Sequence, residues 1–359
     1  MMVKYVAPIL PHVHLRGKEY PNHSFLELGF RDARAVGAVA VLEQPNPVPQ
    51  LLDGNSVHER LLQSIPYSES IHYGAHIGLT NDLIQAKRAF QLAQEHQMRI
   101  AGVKAFWVHS TGNMGITDHE AQKALWNTAA EVSYTGVFFQ HCEEEQMFRG
   151  VYLPSSPMTH SHRQHSGSEL YSVMTQIRNA RDAKFKGTFY VAHVSSPETV
   201  DFLLEERLCQ HPFRIILETT AHHEFLNTSD YEIHGNGVKM NPPLRTPKEQ
   251  ERLLEHVIEG RTDIAGDDHA PHPYPLKHEA REGKNPPSGI PAIAFLPRRV
   301  ELWKQEGMSS ETCERLLFDT ANDLFQLGLQ KSYVECGYRP ELWEAYRYNP
   351  FSRVDGTIN

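Results

Sequence analysis

Residues 188–208 read TFYVAHVSSPETVDFLLEERL, and the change of period inside that stretch decides the fold. Its first eight residues form an apolar, β-branched and aromatic run, as expected of a strand covered on both faces. At Ser196 the pattern changes. Serine is a good helix N-cap, Pro197 suits the first helical turn, and the residues that follow carry a helical period. A strand feeding a capped helix is the repeating half of a βαβ unit, and the same alternation runs along the rest of the chain. Strand-like runs are KYVAPIL (4–10), AVAVLE (38–43), IHYGAHIGL (71–79), RIAGVKAFWV (99–108), GVFFQHC (136–142), FRIILETTA (213–221) and TDIAGDD (262–268), which with 188–195 make eight. Helical segments lie between most of them, among them TDHEAQKALWNTAAEV, where Thr117 and Glu120 are read as a capping box. Eight strands separated by helices predict an α/β chain folded as a TIM-like (β/α)8 barrel. No internal repeat or low-complexity linker interrupts the pattern, so residues 1–359 are read as one domain. The stretches 143–166, 223–246 and 270–290 are long for barrel loops and are expected on the active-site face.

Composition narrows the function classes. The 359 residues are 40% hydrophobic and 22% charged, the balance of a globular enzyme. A net charge of -9 argues against nucleic acid or an anionic membrane as the main partner, since both select a broad basic surface. Cys142, Cys209, Cys313 and Cys336 are scattered and form no CxxC pair, so neither a disulfide framework nor a thiolate zinc site is indicated. That usage suits a reduced, cytoplasmic setting. The N-terminal apolar run is too short for a signal peptide, and no run approaches the length of a membrane span.

The polar residues at strand ends carry the chemistry. ILPHVHLRG (9–17) ends an apolar run with His12, His14 and Arg16, which alternate in a strand and so share one face. With 22 histidines in the chain, such a pair alone has an ordinary explanation as a half-exposed strand. The other strands add weight: Lys104 lies in GVKAFWV, His141 stands at the end of the strand in GVFFQHC, TFYVAHV carries His193 and Asp268 closes AGDD. In a barrel of this kind these five strands bring six metal-capable side chains to one mouth. Lys104 is the most informative, because a bare ammonium among Val, Ala, Phe and Trp is costly to bury. Addition of CO2 to the neutral amine gives a carbamate, an anion with two oxygens that can bridge two divalent cations.

From HVHLR through GVKAF, FFQHCEE, VAHVSS, LETTAHH and KMNPPLRT to DDHAPH, the chain resembles the metal-dependent amidohydrolases, and within them the dihydroorotase branch. The motifs occur in that family's order over most of the chain. The resemblance implies two Zn2+ per chain: His12, His14 and Asp268 on one, His141 and His193 on the other, with N6-carboxylated Lys104 and a hydroxide bridging both. It implies Asp268 as general base and then general acid in reversible hydrolysis of a cyclic amide, dihydroorotate to N-carbamoyl-L-aspartate. Substrate contacts carried over are Arg16, Asn46 and His272 to the carboxylate and Asn241 to the ring amide. A guanidinium fits a carboxylate in a bidentate way, and hydantoinases, dihydropyrimidinases and allantoinases, whose rings lack that carboxylate, do not place Arg two residues after the second His. These remain the alternative reading, with a non-catalytic relative associated with aspartate transcarbamoylase as a further one. The partners implied are the small-molecule substrate, a second copy in a homodimer, and aspartate transcarbamoylase. QPNP (44–47) departs from the family's MPNT-like stretch, which alters the neighbours of Asn46. The small β-sandwich of many relatives is expected to be absent or reduced. THSHRQHSGSEL (159–170), with His160, His162 and His165, is read as a solvated or substrate-covering loop, and His222 and His223 as structure at the barrel rim.

Overall fold

A computed structural model of the chain describes residues 2–95, 99–110, 114–279 and 285–357. Its strands are β1 (Met2–Val6), β2 (Ile9–Val13), β3 (Ala40–Glu43), β4 (His72–Gly78), β5 (Ile100–Phe106), β6 (Val137–His141), β7 (Thr188–Val191), β8 (Arg214–Thr220), β9 (Ile264–Gly266) and β10 (Tyr333–Gly337). β2 to β9 form one parallel sheet in sequence order. The sheet curls until Val13 bridges His269, where the His14 amide donates to the His269 carbonyl at 2.7 Å, and the barrel is all but closed. Seven of the eight barrel strands fall within the runs read from the sequence, and the first, β2, overlaps its run only at residues 9–10.

Three local expectations are corrected. The run 4–10 is not one strand. Pro8 has no N–H for a ladder, so the chain breaks there: β1 pairs antiparallel with β10 outside the barrel, and β2 alone enters it. The helix His119–Glu131 is capped by Asp118, whose carboxylate accepts from the Ala121 amide at 2.8 Å, rather than by Thr117. A charged acceptor one residue nearer the helix outcompetes the hydroxyl. The stretch 159–170 is not a solvated loop but two helices, Thr159–Arg163 and the start of Ser166–Asp182. The βα unit that opened the reading stands as expected, with Ser196 capping the helix Pro197–Leu208. Among the described residues no helix is long and apolar enough to cross a membrane.

Two apolar layers hold the barrel. Inside it Phe139 stacks on Tyr190 with centroids 4.1 Å apart, a floor beneath the strand ends. Outside it Trp126, from the helix His119–Glu131, is wholly buried, 4.2 Å from Phe138 and stacked on Phe189 at 5.5 Å. Its indole N–H donates to Gln176 at 2.8 Å. Trp126→Ala should therefore cost about 3–5 kcal/mol in chemical denaturation, by lost burial plus cavity. A loss below about 1 kcal/mol would mean that this helix does not anchor the barrel wall.

Candidate metal centre

Each side chain singled out at a strand end is buried and aimed at one mouth. His12, within β2, and His14, just beyond it, approach Asp268 Oδ1 through Nε2 at 3.3 and 3.0 Å, and the three donor atoms lie within 4.8 Å of one another. The far nitrogens are fixed: His12 Nδ1 sits 2.7 Å from Glu218 Oε1, and His14 Nδ1 sits 2.5 Å from Asn46 Oδ1. Nε2 of both rings is thereby left for a ligand. His141 and His193 stand with ring centroids 4.5 Å apart, and His193 lies 5.4 Å from His12. His141 Nε2 is paired with Glu143 Oε2 at 3.0 Å, which leaves its Nδ1 as the donor toward the mouth.

Between the two groups lies Lys104, wholly buried on β5, its Nζ 4.3 Å over the ring of Phe139 and 4.9 Å over that of Phe106. Among the described residues neither Lys104 Nζ nor His193 Nδ1 has a hydrogen-bond partner. Buried polar atoms are nearly always paired, so two orphans beside four other donors fit a bound group. Burial lowers the Lys104 pKa to about 7, against the pull of Glu218 and Asp268. Burial also lowers His14 to about 4 and keeps His193 well below the ordinary range, which favours the neutral form of these two rings that a metal ligand requires. Burial opposes ionisation of Asp268, but His12 and His14 outweigh it and hold that carboxyl well below the usual range. For Asp267 burial prevails over the pull of Arg299 and His12 and pushes it up to about 7.

Glu218, on β8, escaped the sequence reading although it organises the centre. Its carboxylate takes His12 Nδ1, the Tyr190 hydroxyl at 2.6 Å and the His193 amide at 3.1 Å. Gly266 makes room for it, since a Cβ there would fall 2.5 Å from Glu218 Oε1. The available signal was an ionisable residue inside the apolar run RIILETT, the same signal that Lys104 gives.

Above these donors a small cavity is lined by His12, His14, Asp268, Arg16, Asn46 and Asn241 among others. Arg16 does not reach it by strand alternation. Its backbone turns left-handed, φ 58°, and its Nε and Nη2 contact the Pro271 carbonyl at 3.0 Å and His272 Nε2 at 2.9 Å. His272 stands behind Arg16, outside the lining, with Nδ1 2.7 Å from the Tyr20 hydroxyl. Asn241 is held at both ends, its Nδ2 donating to Ser110 at 3.0 Å and its Oδ1 2.9 Å from His160 Nε2. His160 is thus a buried support for the cavity wall. His222 is buried 4.0 Å from Asp268 Oδ2 with neither ring nitrogen paired, whereas His223 is tied to Thr220 and the Pro242 carbonyl.

No protein-family model matches the chain. It is 29% identical over 337 residues to the dihydroorotase of Halobacterium salinarum, covering 92% of this chain and 74% of that one. It is 27% identical over 303 residues to that of Methanosarcina mazei, covering 81% of this chain and 62% of the relative. Among solved structures, L-hydantoinase from Arthrobacter aurescens superposes with a TM-score of 0.78 at 18% identity, over 91% of this chain and 72% of that one. Dihydroorotase from Saccharomyces cerevisiae, solved with 5-fluoroorotic acid, gives 0.72 at 17%, over 90% and 85%. The chain is thus similar over most of its length to dihydroorotases and shares its barrel fold with these hydantoinase and dihydroorotase structures.

Proposed function

We propose that the protein is a dihydroorotase, hydrolysing the cyclic amide of dihydroorotate to N-carbamoyl-L-aspartate and closing the ring in reverse, the third step of de novo pyrimidine (UMP) synthesis. The observation that carries this reading is the meeting of Arg16 with His12, His14 and Asp268 in one small cavity. His12, His14 and Asp268 would hold one divalent ion, His141 and His193 a second, and a carbamate on Lys104 would join them. Bound there, two zinc ions would supply Lewis acidity, making water acidic enough to ionise near neutral pH and polarising the ring carbonyl.

The chain's own groups do the rest. Arg16 spends Nε and one Nη2 hydrogen on the protein, which holds the guanidinium plane still, and its remaining N–H groups face a carboxylate of the ligand. Asn46 lines the cavity beside it, and His272 fixes Arg16 from behind. Asn241, oriented by Ser110 and His160, meets the ring amide. Asp268 takes a proton from the attacking water; as the carbon–nitrogen bond breaks it returns that proton to the leaving nitrogen. In ring closure the same carboxyl starts protonated and gives its proton to the departing water.

The deciding assay compares ring opening of dihydroorotate with that of dihydrouracil, hydantoin and allantoin by the zinc-loaded protein. Dihydroorotate should be turned over best; preference for a ring without a carboxylate would transfer the protein to the hydantoinase reading. Arg16→Lys keeps the charge and loses the fork, so kcat/KM for dihydroorotate should fall roughly 30- to 1000-fold, about 2–4 kcal/mol, with metal content unchanged. Asp268→Asn should lose turnover by several orders of magnitude while the protein still folds, and near-normal turnover would remove Asp268 from the proton path.

A further inference from the structure

Two further cations sit buried against the cavity wall that Arg16 occupies, and among the described residues none of the three forms an ion pair with a carboxylate. Lys277 is wholly buried and donates to the Lys239 and Pro287 carbonyls. Burial lowers its pKa well below the ordinary range, so it can serve as a neutral strut. Lys239 is different. It lies just beyond the 3-10 turn Gly235–Val238, 8% exposed, with its ammonium 5.1 Å over the Tyr152 ring and donating to Ser288 Oγ at 2.7 Å. Burial lowers its pKa only to about 8, partly opposed by Glu143, so it keeps its charge at neutral pH. Glu143 spends Oε2 on His141, while its Oε1 has no hydrogen-bond partner among the described residues; it forms no ion pair with Lys239 and acts on it only at a distance. A buried cation whose contacts are a hydroxyl and a ring face is a costly arrangement unless a ligand brings the opposite charge.

The geometry also says where that charge would sit. Ser288, Gly289, Asn241 and Ser110 all line the cavity. Ser288 Oγ accepts from Lys239 and donates to Asn241 Oδ1 at 3.1 Å, and Asn241 Nδ2 donates to Ser110. The lysine thus sets the direction of a chain of dipoles, pushing the proton of the Ser288 hydroxyl away from itself. Arg16 reaches the same short segment: its Nη2 lies 3.1 Å from where a Cβ on Gly289 would be, and the left-handed φ of 125° there suits glycine alone. Two charged groups therefore bear on Ser288–Gly289, one directly at the cavity and one through a hydroxyl.

We propose that Lys239 is a positioning residue for recognition of an anionic substrate, acting through Ser288, so that Arg16 and Lys239 together separate a ring bearing a carboxylate from a neutral one. This rests on the reading of the cavity as a dihydroorotate site, and binding measurements separate the two. The test uses the zinc-loaded full chain, Lys239→Met and Lys239→Arg, with turnover of dihydroorotate and dihydrouracil and calorimetric binding of orotate and uracil. In Lys239→Met, KM for dihydroorotate and Kd for orotate should rise roughly 10- to 100-fold, while kcat stays within about threefold and neither neutral ring is affected. Lys239→Arg should recover most of the orotate affinity. Unchanged orotate affinity in Lys239→Met, or equal losses for orotate and uracil, would overturn the proposal and leave Lys239 a structural strut. Should the parent prefer dihydrouracil in turnover while Lys239→Met still weakens orotate alone, the functional reading falls and the role of Lys239 stands.

Discussion

A primary amine sealed among aromatic rings sets the terms for the mouth of this barrel. Lys104 has no exposure and, among the described residues, no hydrogen-bond partner, and leaving such a group unpaired costs about 1–3 kcal/mol, more if it stays charged. Nothing in the strand compensates it. Its neighbours on β6, Phe139 and His141, offer a ring face and an imidazole already tied to Glu143. A further group there would relieve that cost, and the proposed carbamate between cations would turn the orphan into the centre of the site.

The surroundings bear out a design for holding ligands rather than for maximal stability. Glu218 draws His12, Tyr190 and the His193 backbone onto one carboxylate, Asn46 fixes His14, and Glu143 fixes His141. Three histidines from two strand ends thus have one nitrogen held by the protein and one left over. Such outer partners lock the tautomer and the ring plane, which a metal centre requires before any metal arrives. The cost appears in the backbone, where His193 and Asp268 both adopt positive φ, as strained residues at functional sites commonly do.

Much of this was legible in the sequence because barrel strands are nearly unbroken apolar runs, so an ionisable residue inside one stands out. That logic found Lys104, His141, His193 and Asp268, and applied to RIILETT it would have found Glu218 as well. Other features depend on contacts between residues far apart in the chain. Glu218 and His12 are 206 residues apart, and Arg16 and His272 are 256 apart. The left-handed turn at Arg16, the break of the first strand at Pro8 and the burial of His160 beneath Asn241 follow from three-dimensional packing, which no local period encodes. Asn46 shows the limit most clearly. A turn residue beside prolines, it was legible as a cavity group, but its hold on His14 could not be read from spacing.

The central claim is that the buried Lys104 amine becomes a carbamate that joins two metal ions. The most direct measurement supplies 13C-labelled bicarbonate and zinc to the metal-free protein and follows the labelled carbon by NMR alongside metal content. The account predicts one carbamate carbon per chain, appearing together with two zinc ions and absent from Lys104→Ala. A zinc-loaded, fully active protein that incorporates no label on Lys104 would contradict it.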